Sequence, residues 1–233
     1  MDKELKIFNN YYQTFDEKEV YIKNKYDHTF RVVSFAEEIA KSLNLSEDDI
    51  LKAKICALFH DIGRFNEAKK YHSFASSNAF DHGEEGFNIL KKLNYNDEIV
   101  LLSTKYHNKY SIPDGLDEKT QLFCNITRDA DKLDILFTQY LKVDSKDEIR
   151  DEIYNELFKK KLFKNSINYN SNEEVLKGLA LIFDINFKKS FEIIRDNNLI
   201  DEKIDNLLKI NDDQELLKVK EFLNNYVKER LIC

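Results

Sequence analysis

The chain has 233 residues, of which 42% are hydrophobic and 34% charged, with a formal net charge of −7. Five glycines and one proline, Pro113, are too few for the turns of a many-stranded β protein, so the composition favours an all-α fold with short connections. The acidic balance makes nucleic acid an unlikely partner, but it does not exclude a small anionic substrate beside a metal ion, which creates its own positive field.

Residues 1–22 are predicted to form a helix with Leu5, Phe8, Tyr12 and Phe15 at helical spacing. The next helix is predicted to start near Tyr26-Asp27-His28. Val32, Val33, Ala36, Ile39, Ala40 and Leu43 mark its buried face, and His28 lies one turn before Val32. Ser46 can cap a third helix, whose opening acidic residues suit the positive end of the dipole. That helix grows more apolar toward His60, and Gly63 fits a helix stop. Residues 64–81 read as a long polar connection, able to form a wall or lid. Asp81 can cap a helix that starts with His82 and has Glu84 at its third position. Asn96-Asp97-Glu98 starts another helix leading toward His107, and Pro113-Asp114-Gly115 is a turn.

A long helix is predicted over about 117–142, with Leu122, Ile126, Ala130 or Leu133, Phe137 and Tyr140 facing inward. Further helices follow at about 146–160, 172–184, 187–197, 200–209 and 212–230. The expected division is a core over residues 1–144 and a helical extension over 145–233, packed on that core and carrying no catalytic motif. No stretch of about eighteen apolar residues and no apolar signal region is present, so a cytoplasmic location without a membrane span is the default expectation. Cys56 and Cys124 sit among apolar residues and read as reduced core thiols. Self-association is left open.

The chemistry concentrates where the apolar run Lys54-Ile55-Cys56-Ala57-Leu58-Phe59 ends in His60-Asp61. A buried helix has no packing reason to finish on two strong metal ligands. Adjacent side chains diverge by about 100° on a helix, so the pair can grip an ion from two sides, or Asp61 can bridge two ions. Other ligands must then come from separate helices, as in metal sites of helical bundles. The candidates in chain order are His28, His60, Asp61, His82, His107 and Asp131. Imidazoles and carboxylates without thiolates suit one or two divalent ions of Mn, Fe, Ni, Co or Zn.

This order of histidines and aspartates resembles the HD superfamily of metal-dependent phosphohydrolases. His60-Asp61-Ile62-Gly63-Arg64 is similar to the family's central motif. Ala130-Asp131-Lys132-Leu133-Asp134 resembles its last element and selects Asp131 over Asp129 and Asp134. His82 and His107 resemble the two extra histidines of members that carry two metals. The resemblance covers about residues 26–135; the extension after residue 145 resembles that of uncharacterised bacterial members.

The resemblance implies a helical bundle with a first ion on His28, His60, Asp61 and Asp131. Asp61 then bridges to a second ion on His82 and His107. It further implies hydrolysis of a phosphomonoester, phosphodiester or pyrophosphate bond, in a nucleotide or related small molecule, by metal-activated water. Basic residues next to the motifs would hold substrate charge: Arg64 and Lys132 first, then Lys109 and Lys105, with Arg31 a further candidate. Asp61, Arg64 and Lys132 are the expected catalytic residues, and Arg64, Lys109 and Lys132 the expected phosphate contacts. His72 has no motif around it and reads as a plain loop residue. Two competing readings are a di-iron oxygenase of the same superfamily and a non-catalytic nucleotide-binding sensor.

Overall fold

A computed structural model of the protein describes residues 1–73, 80–138, 146–164 and 167–232. Among the described residues the regular structure is entirely helical, as the composition favours. In order the helices are α1 (Asp2–Tyr12), α2 (Val20–Ser42), α3 (Glu47–Phe59), α4 (Arg64–Tyr71), α5 (His82–Lys92), α6 (Glu98–Tyr106) and α7 (Glu118–Thr138). They continue as α8 (Asp151–Phe158), α9 (Ser171–Leu179) with a 3-10 turn (Ala180–Asp184), α10 (Lys188–Asp196), α11 (Leu199–Leu208) and α12 (Gln214–Ile232). The chain divides into two compact units, Met1–Asp134 and Ile135–Cys233. The seam falls inside α7, ten residues before the border expected after residue 144 (144 − 134). The expected border itself lies in residues 139–145, outside the described residues, as do residues 74–79 of the predicted lid and Cys233.

Short polar side chains start three helices of the first unit. Ser46 accepts from the Asp49 N–H, Asp81 from Glu84 and Asp97 from Val100, each filling one of the unpaired donors of a helix N-terminus. The predicted helix over 1–22 is in fact broken. α1 stops at Tyr12, and α2 starts at Val20 rather than near Tyr26, with Glu19 accepting from the Ile22 N–H. Residues 64–71 of the predicted connection form α4. Its sequence, RFNEAKKY, has too few apolar residues to show a helical stripe, and tertiary packing decides its state instead. Phe65 inserts into an aromatic cluster with Phe8 and Tyr12 of α1, ring centroids 5.8 and 5.7 Å away. Tyr11 donates to Asn66 at 3.1 Å and Asn66 donates to Glu85 at 2.6 Å, tying α1, α4 and α5 together.

Gly63 is not the left-handed helix stop expected of it; its φ is −70°. It is needed for close approach instead. A Cβ there would lie 2.2 Å from the His82 carbonyl oxygen and 2.8 Å from the Gly86 nitrogen, so the α3–α4 corner lies directly against the backbone of α5. α2 packs on α3 and α4, α3 on α6, and α5 on α6. The middle of α7 is buried on nearly every side, with Phe123, Cys124, Ile126, Ala130 and Leu133 inaccessible. Cys56 and Cys124 are both free and buried, as the apolar context predicts.

The second unit has its own core, with Leu176, Leu179, Ile182, Ile204, Leu207, Leu216, Val219 and Leu223 inaccessible. Its helices pack α8 on α9 and α12, α9 on α11, and α10 and α11 on α12. α8 is shorter than the predicted helix over 146–160, because 146–150 are non-helical. There Arg150 donates twice to Glu173, with Nη2 2.6 Å from Oε2, and Glu173 closes a capping box with Asn170 at the start of α9. No helix among the described residues is long and apolar enough to cross a membrane.

Candidate metal centre

Three helices and the C-terminal ends of two more deliver the six predicted ligands to one place in the first unit. His28 comes from the middle of α2 and Asp131 from α7; His60 and Asp61 follow α3, His82 opens α5, and His107 ends α6. One ligand atom each of His28, His60, Asp61 and Asp131 lies within 4.8 Å of the others, and so do those of Asp61, His82 and His107. Apart from Asp131, which is partly exposed, these residues are buried.

The carboxylate of Asp61 divides between the two groups. Its Oδ2 lies 3.4 Å from His28 Nε2 and 3.5 Å from His60 Nε2. Its Oδ1 lies 3.3 Å from His107 Nε2 and 3.5 Å from His82 Nε2. Asp131 Oδ1 completes the first group at 3.2 Å from His28 and 3.7 Å from His60.

Donor chemistry tests whether such groups fit an ion. His60 Nδ1 is 2.6 Å from the Ala57 carbonyl and His107 Nδ1 is 2.8 Å from the Thr104 carbonyl. A carbonyl oxygen only accepts, so each ring carries its proton on Nδ1 and, when neutral, turns a bare Nε2 inward. His28 Nδ1 is likewise spent on Asp134, at 2.6 Å. The inward nitrogens then face one another, His28 to His60 at 3.2 Å and His82 to His107 at 3.2 Å. Ligands about 2.1 Å from a shared ion are separated by about 3.0–3.4 Å in octahedral or tetrahedral geometry, so most of the observed spacings fit.

The protonation states point the same way. Burial alone would raise the carboxyls of Asp61 and Asp131. Lys25 and the histidines outweigh it at Asp61, and His28 and His60 outweigh it at Asp131, leaving both well below the usual carboxylate range. Burial lowers His82, helped by the Arg64 charge, and lowers His107, so both rings are neutral. Burial and Lys25 also oppose a charge on His28, but its bonds to Asp131, Asp134 and Asp61 prevail and raise it to about 9. That proton is one a metal ion would displace.

The predicted cations are each engaged with the protein. Arg64 donates to the buried Glu67 at 2.5 Å and holds its Nε 3.6 Å from Asp61 Oδ1. Lys132 is buried, with Nζ 3.4 Å from the Arg128 carbonyl. Lys109 pairs with the capping Asp81, Lys105 with Glu84 at 3.0 Å, and Arg31 with Asp134 at 2.6 Å. His72 ends α4 in the left-handed conformation, φ 48°, which gives it a backbone role.

Three residues escaped the sequence reading. Lys25 reaches Asp61 Oδ2 at 2.6 Å, Asp134 receives His28, and Arg128 donates to the carbonyls of His107 and Lys109, steadying the negative end of α6. Each lies three residues from a predicted ligand on the same helix: Lys25 before His28, Arg128 before Asp131 and Asp134 after it. One helical turn is the only sequence signal they carry.

Fold and site together define an all-α protein with a largely buried histidine–aspartate cluster whose ligand atoms lie close enough to hold metal ions. Residues 26–136 match the family model of the HD domain. The chain carries an HD domain over these residues, and the matches support a protein of the HD superfamily. Among curated proteins it is similar to Ribonuclease Y of Ureaplasma parvum, 39% identical over 89 residues, which cover 38% of this chain and 16% of that protein. Ribonuclease Y of Malacoplasma penetrans is 36% identical over 91 residues, covering 39% and 17%, and that of Mycoplasmoides gallisepticum 28% over 116 residues, covering 48% and 18%. The chain thus spans less than a fifth of the length of these relatives. No solved structure matches it.

Proposed function

We propose that the protein is a two-metal phosphohydrolase, cleaving a phosphomonoester, phosphodiester or pyrophosphate bond in a nucleotide or related molecule. The observation that carries this reading is the divided carboxylate of Asp61, with Oδ2 turned to His28 and His60 and Oδ1 to His82 and His107. His28, His60, Asp61 and Asp131 would hold the first ion, and Asp61, His82 and His107 the second. Mn, Fe, Ni, Co and Zn all suit this ligand set. Bound ions would supply a water acidic enough to attack at neutral pH and would stabilise charge on the phosphoryl oxygens.

The chain's own residues do the rest. Asp61 sets the spacing of the two positions, and burial keeps His82 and His107 neutral and available as ligands. Arg64, Lys132 and Lys109 would orient substrate phosphate, Arg64 and Lys109 by exchanging the carboxylates of Glu67 and Asp81 for phosphate oxygens. Lys25, already on the shared carboxylate, joins this set. The relatives' name widens the range of substrates. A net charge of −7 weighs against non-specific binding over the whole surface but not against cleavage at a metal centre, so RNA phosphodiesters belong among the substrates to be tried.

Metal analysis of anaerobically purified protein, followed by phosphate-release and RNA-cleavage assays with Mn, Fe, Ni, Co and Mg, tests the proposal. Turnover of a phosphate ester without oxygen supports it. Oxygen consumption with iron and no phosphate chemistry would favour the oxygenase reading, and tight nucleotide binding without turnover the sensor.

A further inference from the structure

His28 is gripped at both ring nitrogens by carboxylates from one helix. Its Nε2 faces Asp131 at 3.2 Å, while its Nδ1 lies 2.6 Å from Asp134 Oδ2. Asp131 and Asp134 are three residues apart on α7 and therefore share a face. Asp134 is completely buried, and an unpaired buried carboxylate is costly. Arg31, one turn after His28 on α2, supplies the compensation. Its Nε donates to Asp134 Oδ1 at 2.6 Å and its Nη2 to Oδ2 at 3.0 Å, a two-pronged clamp. The Arg31 side chain is 44% exposed, so the clamp brings its charge to Asp134 without being fully desolvated. α2 and α7 thus each contribute two residues one turn apart, and the four interlock around a single imidazole.

From this geometry we infer that Asp134, clamped by Arg31, is a positioning residue that fixes the tautomer and ring plane of His28, aiming its Nε2 lone pair at the first metal position. The inference rests on the proposed role of His28 as a ligand. Carboxylates on the outer nitrogen of a metal-binding histidine typically govern metal affinity by about 10–100-fold. Asp134 therefore acts on metal binding, beyond holding two helices together. Arg31, which the sequence suggests as a phosphate contact, works through Asp134 instead.

The test is titration of metal-free full-length protein with cobalt(II), followed by its visible absorption and by calorimetry. A His82→Ala/His107→Ala background isolates the first position. In that background Asp134→Asn should weaken cobalt binding by about 10–100-fold and alter the cobalt spectrum, and Arg31→Met should cause a smaller loss in the same direction. With His82 and His107 intact, Asp134→Asn should leave the second ion bound as in wild type, which also reports that the unit is folded. If Asp134→Asn does not fold, Arg31→Met, a change at a half-exposed site, decides alone. Unchanged cobalt affinity and spectrum in the folded variants, with only a lowered melting temperature, would reduce Asp134 to a structural ion pair and overturn the inference. His28→Gln serves as the control. If it leaves the first ion bound as in wild type, the ligand role of His28 fails and the inference falls with it. If it releases that ion while Asp134→Asn and Arg31→Met do not, only the inference fails.

Discussion

Replacing Gly63 with alanine is expected to disable one half of the metal centre and spare the other. The new Cβ would sit 2.2 Å from the His82 carbonyl oxygen and 2.8 Å from the Gly86 nitrogen. Both atoms belong to the backbone of α5, so no side chain can swing away to relieve the contact. Reaching even the tightest tolerated separation of 3.0 Å requires α5 to retreat by about 0.8 Å (3.0 − 2.2), and ordinary contact at 3.4 Å requires about 1.2 Å (3.4 − 2.2). His82 is the first residue of α5 and moves with it. Metal–ligand distances are met only within about 0.2 Å, so a shift of this size takes His82 Nε2 out of range. Overpacking a tight contact costs about 1–3 kcal/mol, which lowers the melting temperature by several degrees. The assay is metal content per chain after equilibration with Mn or Co, beside a thermal melt. Gly63→Ala should bind one ion where the wild type binds two, and the retained ion should report on His28, His60, Asp61 and Asp131. A Gly63→Ala protein that binds two ions with wild-type affinity would refute the reasoning that this close approach sets the position of His82.

Three further expectations follow from other contacts. Asp61→Ala should lose both ions and all hydrolytic activity together while the helical content of the second unit persists; full metal content in that variant would rule out the bridge. Lys25→Met removes a cation from Asp61 Oδ2, where it sits 2.6 Å away. A hydrogen bond to a charged group contributes about 1.5–3 kcal/mol, so metal affinity should rise by about tenfold or more in calorimetry, and unchanged affinity would show that Lys25 does not compete with the ion. In the second unit, burial alone would raise the Glu173 carboxyl. The Arg150 guanidinium and backbone N–H groups outweigh it and hold the carboxyl below its ordinary value of 4.5. A lowered carboxyl stabilises the fold above pH 4.5 and loses that contribution as pH falls through its folded value. Glu173→Gln keeps the capping-box geometry and removes the charge, so its melting temperature should lie below wild type at pH 7 and converge with it in acid. A constant gap at all pH values would contradict this assignment.

Much of the candidate site is legible because its candidate ligands obey local rules. His60-Asp61 closes an apolar helix, Asp81 caps the helix that His82 opens, and Asp97 caps the one that leads to His107. Local patterning failed where tertiary contacts decide. α4 has no hydrophobic stripe of its own and is held by the insertion of Phe65 among Phe8 and Tyr12. The break after Tyr12 lacks glycine and proline, so nothing in residues 13–19 announces it. Gly63 looked like a helix stop because local sequence cannot show that α5 lies against it. Lys25, Arg128 and Asp134 belong to the site through contacts spanning 19 to 106 residues, which one sequence does not display. The cations Arg64, Lys109 and Lys132 stand near candidate ligands in the sequence, yet each is engaged by Glu67, Asp81 or the Arg128 carbonyl. Adjacency in sequence identifies a neighbour, not the direction in which a long side chain points.

The central claim is that Asp61 joins two metal positions. Counting divalent ions per chain by elemental analysis, in wild type and in His82→Ala/His107→Ala, tests it most directly. Two ions in the wild type falling to one in the double variant is the predicted result. The same count in both proteins would contradict the account.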